Sequence, residues 1–173
     1  MIDKMSAKFS HFERTDYRIE KFQISGKWYF WNAEPIYWYD TDGMRHCIPR
    51  GFISDGFSVP LCLWILIRML ISVLAAIWHD LAYLIGIPQD IADDGIRTGI
   101  IQTHQPECWW PWYRRKIYSV RIRYNSLKVW LGLRIGGGSA WRKYDAMRKA
   151  GIDVERNRYA TSLEEAREKA AKL

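Results

Sequence analysis

Gly51-Phe52-Ile53-Ser54-Asp55-Gly56-Phe57-Ser58-Val59-Pro60 divides this chain into a half that reads as strands and a half that reads as helices. Upstream, Asp16 to Ile24, Lys27 to Trp31 and Pro35 to Asp40 are rich in Tyr, Trp, Phe and Ile, the residue types that suit a pleated, half-buried surface. Ser25-Gly26 and Thr41-Asp42-Gly43 separate them and read as turns, the second leading into a further strand over Met44 to Ile48. Downstream, Leu61 to Ile71 and Ser72 to Ile85 are apolar on nearly every face, as a buried or lipid-facing helix would be. Gly86-Ile87-Pro88 breaks the run. Helices then follow over Asp90 to Thr103, Trp109 to Leu133, Ala140 to Ala150 and Ser162 to Ala171, with Gly136-Gly137-Gly138 as a stop or hinge and Ser162-Leu163-Glu164-Glu165 as a capping box. The expectation is an α+β fold: a small antiparallel N-terminal sheet packed on a mostly helical C-terminal two-thirds.

With 173 residues, of which 49% are hydrophobic, the chain can bury one core. Residues 1–150 read as one domain and 151–173 as a C-terminal helical extension. The eighteen-residue run from Leu61 to Trp78 meets the lower limit of a membrane span, but Arg68 lies inside it, Ser72 interrupts it and His79-Asp80 follow at once. Two buried helices fit that pattern better. Cys47, Cys62 and Cys108 are odd in number and widely spaced, which argues against a disulfide framework or a zinc ribbon. The first ten residues contain no apolar segment of the secretory type.

The net charge of +7 is unevenly placed. Between Pro111 and Ala150 eleven Lys and Arg face Asp145 alone, so the rest of the chain is net negative. Arg114, Arg115, Lys116, Arg121 and Arg123 sit among aromatic residues on one expected helix, beside Trp109, Trp110 and Trp112. Such a face suits an anionic partner: lipid headgroups with tryptophans at the interface, nucleic acid, or another protein. No nucleic-acid-binding motif accompanies it, and a membrane surface or a protein is the favoured partner. A solvated basic face is the plain alternative.

The chemistry concentrates at His79-Asp80-Leu81-Ala82-Tyr83. On a helix, His79 and Tyr83 share a face, so one turn offers an imidazole, a carboxylate and a phenol. The next helix brings Asp93 and Asp94 within reach. A carboxylate on one imidazole nitrogen leaves the other free as a base. Asp80 and the loop at Asp55 supply the hard oxygens that calcium or magnesium takes. Equally, Asp80 could pair with an arginine such as Arg121, and His79 could be a satisfied core histidine. Ser58 lacks a Gly-x-Ser-x-Gly setting and reads better as a helix cap than as a nucleophile. His11, His46 and His104 show no metal-ligand spacing.

These motifs resemble the bacteriophage and prophage family catalogued as domain of unknown function 1353. Gly51-Phe52-Ile53-Ser54-Asp55-Gly56-Phe57-Ser58-Val59-Pro60 is similar to its Gly-Phe-x-Thr-Asp-x-x-Ser-x-Pro, with Ser54 in place of Thr. Ala76-Ile77-Trp78-His79-Asp80-Leu81-Ala82-Tyr83 is similar to its Ala-x-x-His-Asp-x-x-Tyr, and Ala92-Asp93 to an Ala-Asp pair opening the next helix, which selects Asp93 over Asp94. Tyr118-Ser119-Val120-Arg121 corresponds loosely to a later Tyr-x-x-Val-Arg. The resemblance implies a phage or prophage setting: host cytoplasm, the membrane periphery or the virion, with another phage protein as a partner. A second similarity is to secreted phospholipases of the A-two type, without their half-cystines or full glycine loop. It implies His79 as the base that activates water, Asp93 orienting it, Tyr83 bracing Asp93, and Asp80 with the Asp55 loop at a divalent cation. The function expected is a metal-assisted hydrolase acting on an ester or amide of the bacterial envelope. The alternative is a non-catalytic virion or accessory protein whose His-Asp cluster is structural.

Overall fold

The computed structural model describes residues 8–13, 17–55, 72–106, 108–155 and 158–173. Ser58, the expected helix over Leu61 to Ile71 and most of the Leu61 to Trp78 run lie outside them. The architecture is α+β: antiparallel strands come first and helices follow. The strands are β1 (Phe9–Phe12), β2 (Ile19–Ile24), β3 (Lys27–Asn32), β4 (Ile36–Asp40), β5 (Arg45–Ile48) and β6 (Ile53–Ser54). The helices are α1 (Val73–Ile85), α2 (Gln89–Thr103), α3 (Trp112–Gly136), α4 (Gly138–Lys149) and α5 (Leu163–Ala170).

Where one sheet was expected there are two three-stranded sheets, ordered β1-β4-β5 and β2-β3-β6. Consecutive strands β3 and β4 belong to different sheets, and buried Asn32 sits at the corner between them. Its Nδ2 donates to the carbonyls of Glu34 at 2.8 Å and Pro49 at 2.9 Å, fastening the chain on either side of the crossing. The hairpin turns follow the sequence closely. Ser25 and Gly26 have φ of 51° and 82°, the left-handed pair that matches strand twist. In the second turn the buried Asp40 carboxylate accepts from the amides of Asp42 and Met44 and, at 2.7 Å, pairs with His46. His46, given no role from sequence, thus fastens the β4–β5 hairpin beneath Trp38.

The main core lies between the first sheet and α1 and α2. Phe9 and Trp38 pack on Trp78, whose ring is 4.9 Å from that of Phe9 and 5.5 Å from that of Trp38. Gly95 and Gly99 let α2 approach closely: a Cβ at Gly95 would fall inside the Trp78 ring envelope, and one at Gly99 would lie 2.9 Å from the Ala75 Cβ. Trp78 is fully enclosed and cannot step aside. Gly95→Ala should therefore destabilise the fold by about 1–3 kcal/mol through overpacking, seen as a lower denaturation midpoint in urea.

Helix α1 is capped by the Ser72 hydroxyl, which accepts from the Ala75 amide, and ends at left-handed Gly86, so its boundaries were written in the sequence. Residues 158–173 lie on the second sheet. Tyr159 bridges to Phe52, the Ala160 amide donates to the Gly51 carbonyl at 2.9 Å, and the Trp31 indole donates to the Ala160 carbonyl at 3.2 Å. With Ala166 and Ala170 of α5 buried against Phe22, Tyr29 and Trp31, these residues form a second, smaller core.

Candidate functional site

Helices α1 and α2 bring His79, Tyr83 and Asp93 together as their spacing foretold. His79 Nε2 is 3.0 Å from Asp93 Oδ1, and the Tyr83 hydroxyl donates to the same oxygen at 2.8 Å. A carboxylate can only accept, so the His79 proton sits on Nε2. The other nitrogen, Nδ1, makes no hydrogen bond among the described residues. Asp93 is fully buried, with Arg134 Nε 3.6 Å and Gln89 Nε2 3.5 Å from its second oxygen. Burial, and then the Asp93 charge, raises the Tyr83 phenol above its ordinary range, which keeps it a donor. Asp94 is exposed and takes the Trp130 indole at 2.7 Å, so the choice of Asp93 over Asp94 agrees with the geometry.

Asp80 faces a different cluster. It accepts from the Ser54 hydroxyl and shares a hydrogen bond with Asp55. One oxygen of Asp55 lies 3.5 Å from the Arg158 guanidinium and the other 3.0 Å from Lys27 Nζ, while Arg158 also donates to the Tyr144 hydroxyl at 2.6 Å. Arg158, not Arg121, is the cation beside Asp80. Burial alone would raise Asp55, but Arg158 and Lys27 outweigh it and hold the carboxyl low, at about 2. Burial and then the Asp55 charge push Asp80 up to about 8, against partial relief from Ser54 and Arg158. Two carboxyls in contact thus hold one proton near neutrality.

That arrangement sets a test of sign. Asp80 is protonated in the fold and ionised in the unfolded chain between its ordinary 3.8 and about 8, so its contribution to stability falls as pH rises through that interval and levels off above it. Asp80→Asn cannot titrate, yet its amide accepts from Ser54 and donates to Asp55 as the neutral acid does. Thermal melts should show the variant close to wild type at pH 5 and more stable at pH 9. A difference that stays constant with pH would place the proton elsewhere.

Asp55 and Asp80, the expected cation ligands, do converge, but the donor set they form among the described residues does not fit a divalent ion. Both oxygens of Asp55 already face protein cations, and the pair carries one net charge. Among the described residues no group of three or more His, Cys, Asp or Glu side chains is placed to hold a metal.

Both clusters open on one cavity of about 40 Å³, lined by Asp55, His79, Asp80, Tyr83, Tyr144 and Arg158 and walled by Leu133, Gly137 and Ala140. By the same measure a water needs roughly 10–15 Å³, so the space is water-sized. Gly137 belongs to this wall for a steric reason: a Cβ there would stand 2.8 Å from the Tyr83 hydroxyl and 2.7 Å from the Leu133 carbonyl. Sequence reasoning had not assigned Arg134, Tyr144, Arg158, Lys27 or Ser54 to the site. Arg158, in the segment read as an extension, carried no local signal at all.

The stretch that holds Asp55, His79, Asp80, Tyr83 and Asp93 also decides the family comparison. Residues 31–110 match the DUF1353 family model. Its description is "Protein of unknown function", and the match covers just under half of the chain. No curated protein and no solved structure matches. The DUF1353 stretch supplies the histidine, its carboxylate and the carboxyl pair, whereas Arg134, Tyr144 and Arg158, which complete the surroundings, lie beyond it.

The basic helix also lies beyond the DUF1353 match. Arg114, Arg115, Lys116, Arg121 and Arg123 are all exposed on α3, away from the cavity. Tyr118, on the same helix, is turned inward, packed against the core and edge-on to Trp110 at 5.3 Å. Trp109 and Trp112 are bare, at 76% and 75% exposure. Among the described residues no helix is long and apolar enough to cross a membrane.

Proposed function

We propose that this chain is a hydrolase in which His79 is the general base for a water held in the cavity. The observation that carries the reading is the His79–Asp93–Tyr83 arrangement: one imidazole nitrogen is fixed by a buried carboxylate, the other has no partner among the described residues, and the ring lines water-sized space. Nδ1 takes a proton from water as its oxygen attacks a carbonyl carbon; Asp93 holds the ring and stabilises the imidazolium that forms. Arg158 and the neutral Asp80 carboxyl line the same cavity and are the groups placed to meet negative charge on the carbonyl oxygen. Two carboxyls pushed in opposite directions beside a histidine are typical of acid–base sites. From the family resemblance we take the setting to be a phage or prophage, inside the host or at its membrane, and the substrate to be an ester or amide of the bacterial envelope.

A second reading rests on one specific observation. His79 is only 4% exposed, and a cavity of about 40 Å³ admits water but no whole ester. On that reading the cluster is a buried polar network that specifies the core, in an accessory or virion protein, as the Asp40–His46 pair does for its hairpin.

The deciding experiment screens the purified chain against phospholipid, aryl-ester and peptidoglycan-amide substrates beside His79→Ala. Hydrolysis that falls about 10²- to 10⁴-fold in a variant with an intact circular-dichroism spectrum is the expected result. Inactive wild type together with a His79→Ala chain that unfolds would establish the structural reading instead.

A further inference from the structure

We propose that the outer face of α3 is a docking seam for an acidic amphipathic helix of another protein. Tyr113, Ile117, Val120, Tyr124, Leu127 and Leu131 are all solvent-exposed, from 37% at Leu127 to 67% at Ile117. Their spacing alternates four and three residues without a break, the rhythm of the a and d positions of a coiled coil. At about 100° per residue these six side chains span an arc of roughly 80°, narrower than the face a helix turns to a globular core and matched to a coiled-coil seam. The seam runs along about 27 Å of helix.

The opposite side of the same helix is already used. Ile122, Ser126, Val129 and Leu133 are buried on the domain, half a turn away from the bare seam. Among the described residues, helix α3 therefore carries two apolar stripes back to back, one satisfied and one open. A run of exposed aliphatic and aromatic side chains this long is costly to leave in water and marks an interaction surface.

The flanks say what covers it. Arg114, Arg121 and Lys128 border the seam on one side, and Lys116 and Arg123 on the other. Among the described residues none of these five forms an ion pair. They occupy the e and g positions, which set partner choice in coiled coils. In a homodimer, parallel or antiparallel, these positions would bring cation against cation, so a second copy is disfavoured. A helix with apolar a and d positions and Glu or Asp at e and g would pair with every one. A lipid surface would also accept the charges, but an in-plane membrane helix gains from a broad apolar face, and this arc is narrow.

The probe is a synthetic peptide of about four heptads with Leu at a and d and Glu at e and g, titrated against the full chain by calorimetry. Two comparison peptides keep its length: one with Ser at a and d, one with Lys at e and g. Vesicles of phosphatidylglycerol and phosphatidylcholine are tested in parallel, and the free chain is sedimented over a concentration series. The Leu/Glu peptide should bind at least about tenfold more tightly than either comparison peptide, since each tenfold is only about 1.4 kcal/mol. Ile117→Ser/Val120→Ser should abolish that preference without lowering the melting temperature, because both sites are exposed. Equal binding of the Ser and Leu peptides would reduce the face to bulk charge and overturn the proposal. So would vesicle binding without peptide binding, self-association of the free chain, or no binding at all.

Discussion

Replacing Arg158 by methionine should cost the fold about 3–5 kcal/mol, the range for removing one member of a buried charge group. Arg158 is 5% exposed and its guanidinium ties three pieces of chain together, its own included. It lies 3.5 Å from Asp55, donates to the Ile53 carbonyl at 3.4 Å and the Tyr144 hydroxyl at 2.6 Å, and is itself anchored beside the Phe52–Tyr159 bridge. Methionine keeps much of the volume and none of the charge. Asp55 would then be left with Lys27, whose side chain is 44% exposed and screened by solvent, beside an Asp80 that no longer has a cation near it. Urea denaturation at neutral pH measures the loss. Adding Asp55→Asn and Asp80→Asn to the same chain should recover a substantial part of it, because the penalty arises from orphaned charge. If the triple variant is as unstable as Arg158→Met alone, guanidinium packing and not charge holds the 158–170 segment to the second sheet.

How far the sequence discloses this site depends on how local each contact is. Ser72, Gly86 and the Ser25-Gly26 turn act within a few residues, and their roles follow directly from residue type. His79, Tyr83 and Asp93 are separated by at most fourteen residues across one tight break between two helices, so helical periodicity suffices to bring them together. Asp55 and Asp80 also converge as expected, but the group that faces them comes from position 158. A contact made across about a hundred residues has no periodicity to betray it. Arg158 therefore looked like any other charge in a polar tail, and its absence from the sequence reading made a divalent cation seem the natural partner for two carboxylates.

The division into two sheets escaped for a related reason. Strands β3 and β4 are each recognisable from their aromatic and β-branched content. Whether they pair with one another depends on what happens at Asn32, Glu34 and Pro35, and on the return of β5 and β6 to opposite sides of that corner. Strand β1 lies in a short Phe-Ser-His-Phe segment too brief to stand out by composition; it is held by pairing with β4 and by α2 beneath it. His46 and His79 make the complementary point. Both sit against buried aspartates at hydrogen-bond distance, 2.7 Å and 3.0 Å. His46 uses its pair to close a hairpin under Trp38, whereas the His79 ring lines a cavity shared with charged groups. The residue types are the same, and the surroundings separate them.

Those surroundings make Asp93→Asn the most informative single change at the site. The substituted amide can sit in either of two orientations. If its oxygen stayed toward His79 and Tyr83, its NH₂ would face Arg134 Nε and Gln89 Nε2, now 3.6 Å and 3.5 Å from Asp93 Oδ2. Arg134 has no acceptor to offer, so donor would meet donor in a buried site. The flipped amide avoids this by giving its oxygen to Arg134 and Gln89 and its NH₂ to His79 and Tyr83. Tyr83 can rotate its hydroxyl to accept. His79 can accept only by moving its proton from Nε2 to Nδ1, the nitrogen assigned as the base. The base would then carry a proton exactly where it must receive one, and hydrolysis should fall by about 10⁴, the size of the effect when the carboxylate of a catalytic triad is amidated. Nitrogen-15 NMR of the imidazole reads the tautomer directly and does not depend on knowing the substrate: Nε2 should be the protonated nitrogen in the wild type and Nδ1 in the variant. A tautomer that fails to change would mean that Asp93 does not govern the His79 ring, and the general-base assignment would fall with it.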